Sequence, residues 1–387
     1  MIRITNKSDC CGCEACKQIC PKNSITMRRD AEGFLYPTVD MSSCIDCHLC
    51  ERVCPMITRG TKRRPLEVLA AKSCNEVVRL SSSSGGIFTP LAERTLRRGG
   101  VVFGAKFNDK LYVEHTAVED VEALSALRGS KYLQSIIGDS YKRAEEALKG
   151  GREVLFSGTS CQIAGLRCYL RREYESLLTV EVVCHGVPSP KVWQEYMDGL
   201  SAELKIERND IEAISFRDKS RGWKNFSFRV DYKRDGSSHT FVEPFQSNTF
   251  MRGFLQNLYL RPSCHNCPAR SGRSGADISI ADHWGIERIN PQLDDDKGLG
   301  LLLINSERGK RAFEQIASEV EYATTPYAKA LAYNPCIEHS VAEPKLRNSF
   351  WHSYEENGIT AIEATCSKLK VSIVRRAINK LRRIIKI

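Results

Sequence analysis

Cys10-Cys11-Gly12-Cys13-Glu14-Ala15-Cys16-Lys17-Gln18-Ile19-Cys20-Pro21 is answered further on by Cys44-Ile45-Asp46-Cys47-His48-Leu49-Cys50-Glu51-Arg52-Val53-Cys54-Pro55. Each half reads C-x2-C-x2-C-x3-C-P. Three thiolates at that pitch can wrap one face of a four-iron cluster, while the fourth, three residues on, points away toward a neighbouring one. The proline after each fourth cysteine fixes φ and removes an N–H donor, which favours a turn there.

This is the spacing of a bacterial two-cluster ferredoxin, in which the fourth cysteine crosses over. Cys10, Cys13, Cys16 and Cys54 are therefore expected to hold one [4Fe-4S] cluster, and Cys44, Cys47, Cys50 and Cys20 the other. Paired C-x2-C motifs also bind zinc, but zinc needs no third cysteine at this pitch. Cys11 falls outside the pattern and reads as a bystander. Between the halves, 24–27 and 34–37 flank Asp30-Ala31-Glu32-Gly33 as two short strands across a turn. Residues 1–57 are thus expected to form an α+β, ferredoxin-like dicluster module, and 58–65, which lack apolar periodicity, a linker.

With 387 residues the chain exceeds one small module. Its 17 cysteines would suggest disulfides in a secreted protein. The opening residues show no apolar signal segment and no run reaches transmembrane length, so thiolate ligands in a reducing cytoplasm are expected instead. Net charge is +10, yet eight basic residues and no acid fall within 367–387, leaving +2 for the rest. A near-neutral body with one basic end, without an aromatic-basic motif, does not read as a nucleic-acid binder. In that end Val371, Val374, Ile378, Leu381 and Ile385 recur at steps of three or four among basic residues. Such a basic amphipathic helix would suit peripheral contact with the inner face of a membrane, or docking on the protein's own core.

The body alternates strand and helix. Apolar runs at 101–105, 154–156 and 179–183 fit buried strands, and helical periodicity fills 89–97, 140–149, 163–172 and 191–204. That order predicts an α/β domain over 66–345. A β-rich insertion follows, with 226–230 and 239–242 joined through Lys233-Arg234-Asp235-Gly236. Residues 346–387 read as a tail.

Three stretches of the body set cysteines in chemically suggestive places. Ser157-Gly158-Thr159-Ser160-Cys161 is a strand-to-helix turn whose thiol is easily ionised. Cys184 ends an apolar strand, before His185-Gly186-Val187-Pro188. Cys264-His265-Asn266-Cys267 is a compact pair. Singly each reads as a buried cysteine or half a zinc site. Together they supply four thiolates, the ligand count of one more cubane or of a closed zinc site. Ser82-Ser83-Ser84-Gly85-Gly86 reads plainly as an N-cap for the helix that follows, although such N–H groups also suit a cofactor phosphate. His185 and His283 read as structural, and Cys74, Cys168, Cys336 and Cys366 as incidental.

On Ser84-Gly85-Gly86, Arg128-Gly129-Ser130-Lys131-Tyr132, Gly158-Thr159-Ser160-Cys161-Gln162, Cys184-His185-Gly186-Val187-Pro188, Ser215-Phe216-Arg217-Asp218-Lys219, Cys264-His265-Asn266-Cys267 and 276–285, the body resembles the coenzyme F420 hydrogenase/dehydrogenase beta-subunit family. The departure is Ser160, where proline is common. The resemblance implies FAD, with Ser83, Ser84, Gly85 and Gly86 near its phosphates, and a third [4Fe-4S] cluster on Cys161, Cys184, Cys264 and Cys267. It extends to bacterial relatives associated with surface polysaccharide synthesis. The expectation is an iron-sulfur flavoprotein oxidoreductase, taking electrons from a low-potential electron donor to a small-molecule or lipid-linked substrate. A non-catalytic electron-transfer subunit and a zinc-containing polysaccharide-synthesis protein are the alternatives.

Overall fold

The computed structural model describes residues 1–369. Near the N-terminus β1 (Ile25–Arg29) and β2 (Leu35–Val39) pair antiparallel, across the turn expected at Asp30–Gly33. Asp30 explains that turn, since its carboxylate accepts from the backbone N–H of Glu32 and Phe34. Each cysteine run carries one short helix, Ala15–Gln18 or Leu49–Arg52.

The body is built on an eight-stranded mixed sheet. Its strands are β3 (Glu67–Ser73), β4 (Val101–Phe107), β5 (Val113–Val118), β6 (Val154–Thr159) and β7 (Leu177–Val182), followed later in the chain by three more. After β8 (Ile211–Asp218), β9 (Ser227–Arg234) and β10 (Ser237–Pro244), which form their own sheet, come β11 (Ile278–Asp282), β12 (Gly300–Ile304) and β13 (Val320–Thr324). The order is β13-β3-β12-β11-β7-β6-β4-β5. The four central strands β11, β7, β6 and β4 run parallel, and the strands on either side are antiparallel to their neighbours.

Burial explains the continuous apolar runs. Val154, Leu155 and Phe156 are covered on both faces of the sheet, as parallel strands require. On one face the helices Phe88–Arg97 and Glu307–Glu314 close over Leu155, Val180 and Leu302. On the other, Ser140–Lys149 and Ser160–Leu170 close over Phe103, Phe156 and Leu177, and this core also takes in Cys11, Cys13 and Ala15 of the N-terminal module.

A third core joins the helix Pro190–Leu204 to the β8–β10 sheet around Trp193, Phe228 and Phe250. The expected hairpin is present with a two-residue loop. Asp235 and Gly236 both have positive φ there, and Ser237 pairs with Arg234. Phe350, Tyr354, Ala361 and Ile362 are buried in this core, so the chain beyond 345, expected as a tail, packs on the body through the last described turns. Val371, Val374, Ile378, Leu381 and Ile385, expected to form the basic amphipathic stripe, lie outside the described residues. No helix among the described residues is long and apolar enough to cross a membrane.

Candidate metal centres and the adjoining cavity

Two small cavities divide the eight patterned cysteines. Cys10, Cys13, Cys16 and Cys54 line one, with Cys11 beside them, and Cys20, Cys44, Cys47 and Cys50 line the other. This is the crossed partition that the spacing requires. Backbone and side-chain N–H groups point at the sulfurs: Ile2 N donates to Cys50 Sγ at 3.2 Å, and Arg261 to Cys10 Sγ at 3.5 Å. Soft thiolates with N–H donors suit iron–sulfur clusters. Cys16 faces both sets, and burial, with Cys10, Cys54 and Cys50 nearby, pushes its thiol up. In the absence of a metal such a group keeps its proton, so cluster assembly must release protons.

The module is held to the body at both ends. Glu14 Oε1 accepts from Ile137 N at 2.9 Å, and Gln18 Oε1 from Tyr141 N at 3.0 Å. A Cβ at Gly165 would stand 2.8 Å from Cys13 Cβ and 2.9 Å from the Tyr141 hydroxyl, so only glycine admits the cysteine loop to this helix. At the hairpin end Arg347 forks onto the Glu32 carboxylate.

Cys161 follows the carboxyl end of β6 and Cys184 that of β7, and these strands are neighbours. The Cys264–Cys267 pair closes on them from the loop before β11. Val187 N donates to Cys264 Sγ at 3.4 Å, and the four thiols are near enough to act on one another's ionisation. Burial pushes Cys264 up to about 12 and Cys267 to about 11. Among the described residues no group of three or more His, Cys, Asp or Glu side chains is arranged to hold a single metal ion. Cys11, read as a bystander, is buried and makes side-chain contact with both Cys13 and Cys161.

Beside Cys184 a cavity of about 260 Å³ lies over the carboxyl ends of β4, β6, β7 and β11, where open α/β sheets take their ligands. Ser83, Ser84, Gly85 and Gly86 form part of its wall. The N-cap reading of this stretch fails: the helix begins after Ile87 without a side-chain cap, because Gly86, at φ +81°, turns the serines away from it. Ser83 Oγ instead accepts from Ser130 N at 2.6 Å, and Ser84 Oγ donates to Leu299 O at 2.7 Å. Gly85 is pressed onto the sheet, where a Cβ would meet Ala71 O at 2.3 Å.

Several groups at the cavity had no individual role in the sequence reading. Lys131 Nζ donates to the carbonyls of Ala126 and Arg128, both at 2.9 Å, and burial pushes it down to about 7. His115 is held between Ser157 O at 2.9 Å and Ser135 Oγ at 2.8 Å. Asp282 takes a forked pair from Arg217 at 2.8 and 3.2 Å and a bond from Trp223 Nε1 at 3.0 Å. Of the two histidines read as structural, His185 lines the cavity, with Nε2 2.6 Å from Asn257 Oδ1. His283 is buried elsewhere, with Nε2 3.1 Å from Thr325 Oγ1.

Residues 151–330 match the family model for the C-terminal part of the coenzyme F420 hydrogenase/dehydrogenase beta subunit, and residues 9–57 match that of the 4Fe-4S dicluster domain. A chain of the F420-reducing [NiFe] hydrogenase complex from Methanosarcina barkeri, solved with xenon, aligns over 79% of this chain and 92% of its own. Identity in that alignment is 17% and the TM-score 0.46. No curated protein matches. A dicluster domain over 9–57 thus stands ahead of a segment, 151–330, that matches the C-terminal part of the coenzyme F420 hydrogenase/dehydrogenase beta subunit, and the chain is an iron–sulfur electron-transfer protein.

Proposed function

We propose that the chain is a flavin-dependent iron–sulfur oxidoreductase. In this reading Cys10, Cys13, Cys16 and Cys54 hold one 4Fe-4S cluster, and Cys20, Cys44, Cys47 and Cys50 a second. Cys161, Cys184, Cys264 and Cys267 hold a third, and the cavity beside Cys184 takes FAD with its phosphates toward Ser83–Gly86. Bound there, the clusters would carry single electrons, and the flavin would exchange pairs with a small-molecule or lipid-linked substrate.

One observation carries the reading: four cysteines from three separate segments converge at the carboxyl ends of two adjacent strands, and one of them shares a cavity wall with a glycine-serine turn. Exposure suits entry of electrons at the module from a low-potential electron donor. Cys47 is open to solvent, and Ile45, on the wall of the same module cavity, is 58% exposed.

The test is flavin uptake by the anaerobically reconstituted full chain. Stoichiometric FAD, weakened by Gly86→Val because that residue sits at φ +81°, is the expected result. Full iron with no flavin would leave an electron-transfer subunit without a catalytic site of its own.

A further inference from the structure

Five arginines are buried among the described residues: Arg79, Arg217, Arg261, Arg270 and Arg347. Three fork onto carboxylates: Arg79 onto Asp295, Arg217 onto Asp282 and Arg347 onto Glu32. Arg270 donates to the carbonyls of Cys184, Cys336 and His185, and Glu181 lies within its field. Arg261 makes no hydrogen bond to a carboxylate. Its side chain is completely buried, and every hydrogen bond it makes goes to an uncharged oxygen or to a thiol. Nε donates to Cys10 O at 2.7 Å, NH1 to Gln134 Oε1 at 2.9 Å, and NH2 to Leu35 O at 3.0 Å and Cys10 Sγ at 3.5 Å. The Tyr36 ring covers its other face at 4.3 Å.

A buried guanidinium without a counter-charge is strongly unfavourable, whereas an apolar side chain at the same place would not be. The surroundings say where the missing charge belongs. The thiols of Cys10, Cys11 and Cys264 lie within reach of the Arg261 guanidinium's charge. Gly12 keeps the cysteine loop open to it, since a Cβ there would come 2.8 Å from Arg261 NH1.

We infer that Arg261 is the counter-charge of the cluster held by Cys10, Cys13, Cys16 and Cys54, and that it sets that cluster's reduction potential. This rests on the ligand reading given above. The step it governs moves one electron, taking the cluster from the 2+ to the 1+ state. No bond is made or broken, and the electron comes from a low-potential one-electron carrier. The reduced, more negative cluster gains more from the fixed positive charge than the oxidised one, so Arg261 raises the potential. Arg261 also immediately precedes the short helix Pro262–Asn266 that bears Cys264, and its backbone carbonyl accepts from Cys264 N at 2.9 Å, which sets this cation between module and body cysteines.

The experiment is an EPR-monitored redox titration of the full chain, reconstituted anaerobically, as wild type, Arg261→Gln, Arg261→Lys and Gln134→Glu. The last keeps the arginine but sets a carboxylate at the position of its 2.9 Å partner. Arg261→Gln and Gln134→Glu should each shift one module midpoint downward by a factor of about ten in the one-electron equilibrium, about 59 mV, while the other module signal holds. Arg261→Lys, which keeps the charge but not the fork, should retain most of the wild-type value. Unshifted midpoints in Gln134→Glu at full iron content would overturn the inference and leave the ligand reading standing. Iron loss in Arg261→Gln with Gln134→Glu unshifted would make Arg261 merely structural and also overturn it. A wild-type module that takes up no iron would instead sink the ligand reading.

Discussion

Cys11 and Cys161 lie thiol to thiol at the seam between the cysteine-rich module and the sheet. They come from opposite sides of the seam, one from the loop of the first cysteine run and the other from the first turn of the helix after β6. Each of the two module cavities has its own four patterned cysteines, and Cys11, a fifth thiol on the wall of the first, also contacts Cys161 across the seam. Cys11→Ser should therefore leave iron content at the wild-type level. Loss of a full cluster's iron from this variant would mean that Cys11 is a ligand and that the register is displaced.

The crossed partition makes a second claim open to test. Cys20→Ser should disturb the cluster of the cavity lined by Cys44, Cys47 and Cys50, and Cys54→Ser that of Cys10, Cys13 and Cys16. EPR of the two reduced variants should show different signals lost. Loss of the same signal in Cys20→Ser and Cys16→Ser would reverse the assignment.

Docking of the module depends on a glycine. Gly165→Val would drive a side chain into Cys13 and Tyr141, and overpacking of this kind costs about 1–3 kcal/mol or more. Gly199, mid-helix in Pro190–Leu204, has open space around it. Gly199→Ala should instead stabilise by about 0.5–1 kcal/mol. Denaturant unfolding of both variants checks the contrast, and equal effects would remove the special role of Gly165.

His115 supplies a pH dependence of known sign. Burial pushes it down to about 4 from an ordinary 6.5, so between those values the unfolded chain binds a proton that the folded chain does not. Stability then rises with pH through this window and is lost as pH falls from 6.5 toward 4. The difference between 6.5 and about 4, at about 1.4 kcal/mol for each tenfold change in proton affinity, comes to about 3.5 kcal/mol. Unfolding free energies of wild type and His115→Gln at pH 7 and pH 5 should converge as pH drops. Parallel pH curves for the two proteins would contradict it.

Much of this architecture can be read locally. The duplicated cysteine pattern carries its own register, and the apolar runs of β4, β6 and β7 announce buried parallel strands because both faces are covered. The antiparallel additions β3, β12 and β13 could not be read in this way. The pairing of β12 and β13 with β3 joins segments hundreds of residues apart, as in Gly300 against Ala71, and register across such a gap is not a property of either segment alone. The serine-glycine turn misled for a related reason. Its hydroxyls look like helix caps until Leu299 and Ser130, brought in from elsewhere, claim two of them. Arg261 reads only as a charge after the apolar Leu258-Tyr259-Leu260, and its meaning appears when Cys10 and Gln134 fold against it.

The account stands most directly on the third set of cysteines, and anaerobic metal analysis of the full chain addresses it. Three four-iron clusters predict about twelve irons and as many sulfides per wild-type chain, falling to about eight in Cys184→Ser/Cys264→Ser, with no zinc in either protein. About eight irons with one zinc in the wild type, and loss of that zinc alone in the double variant, would contradict it.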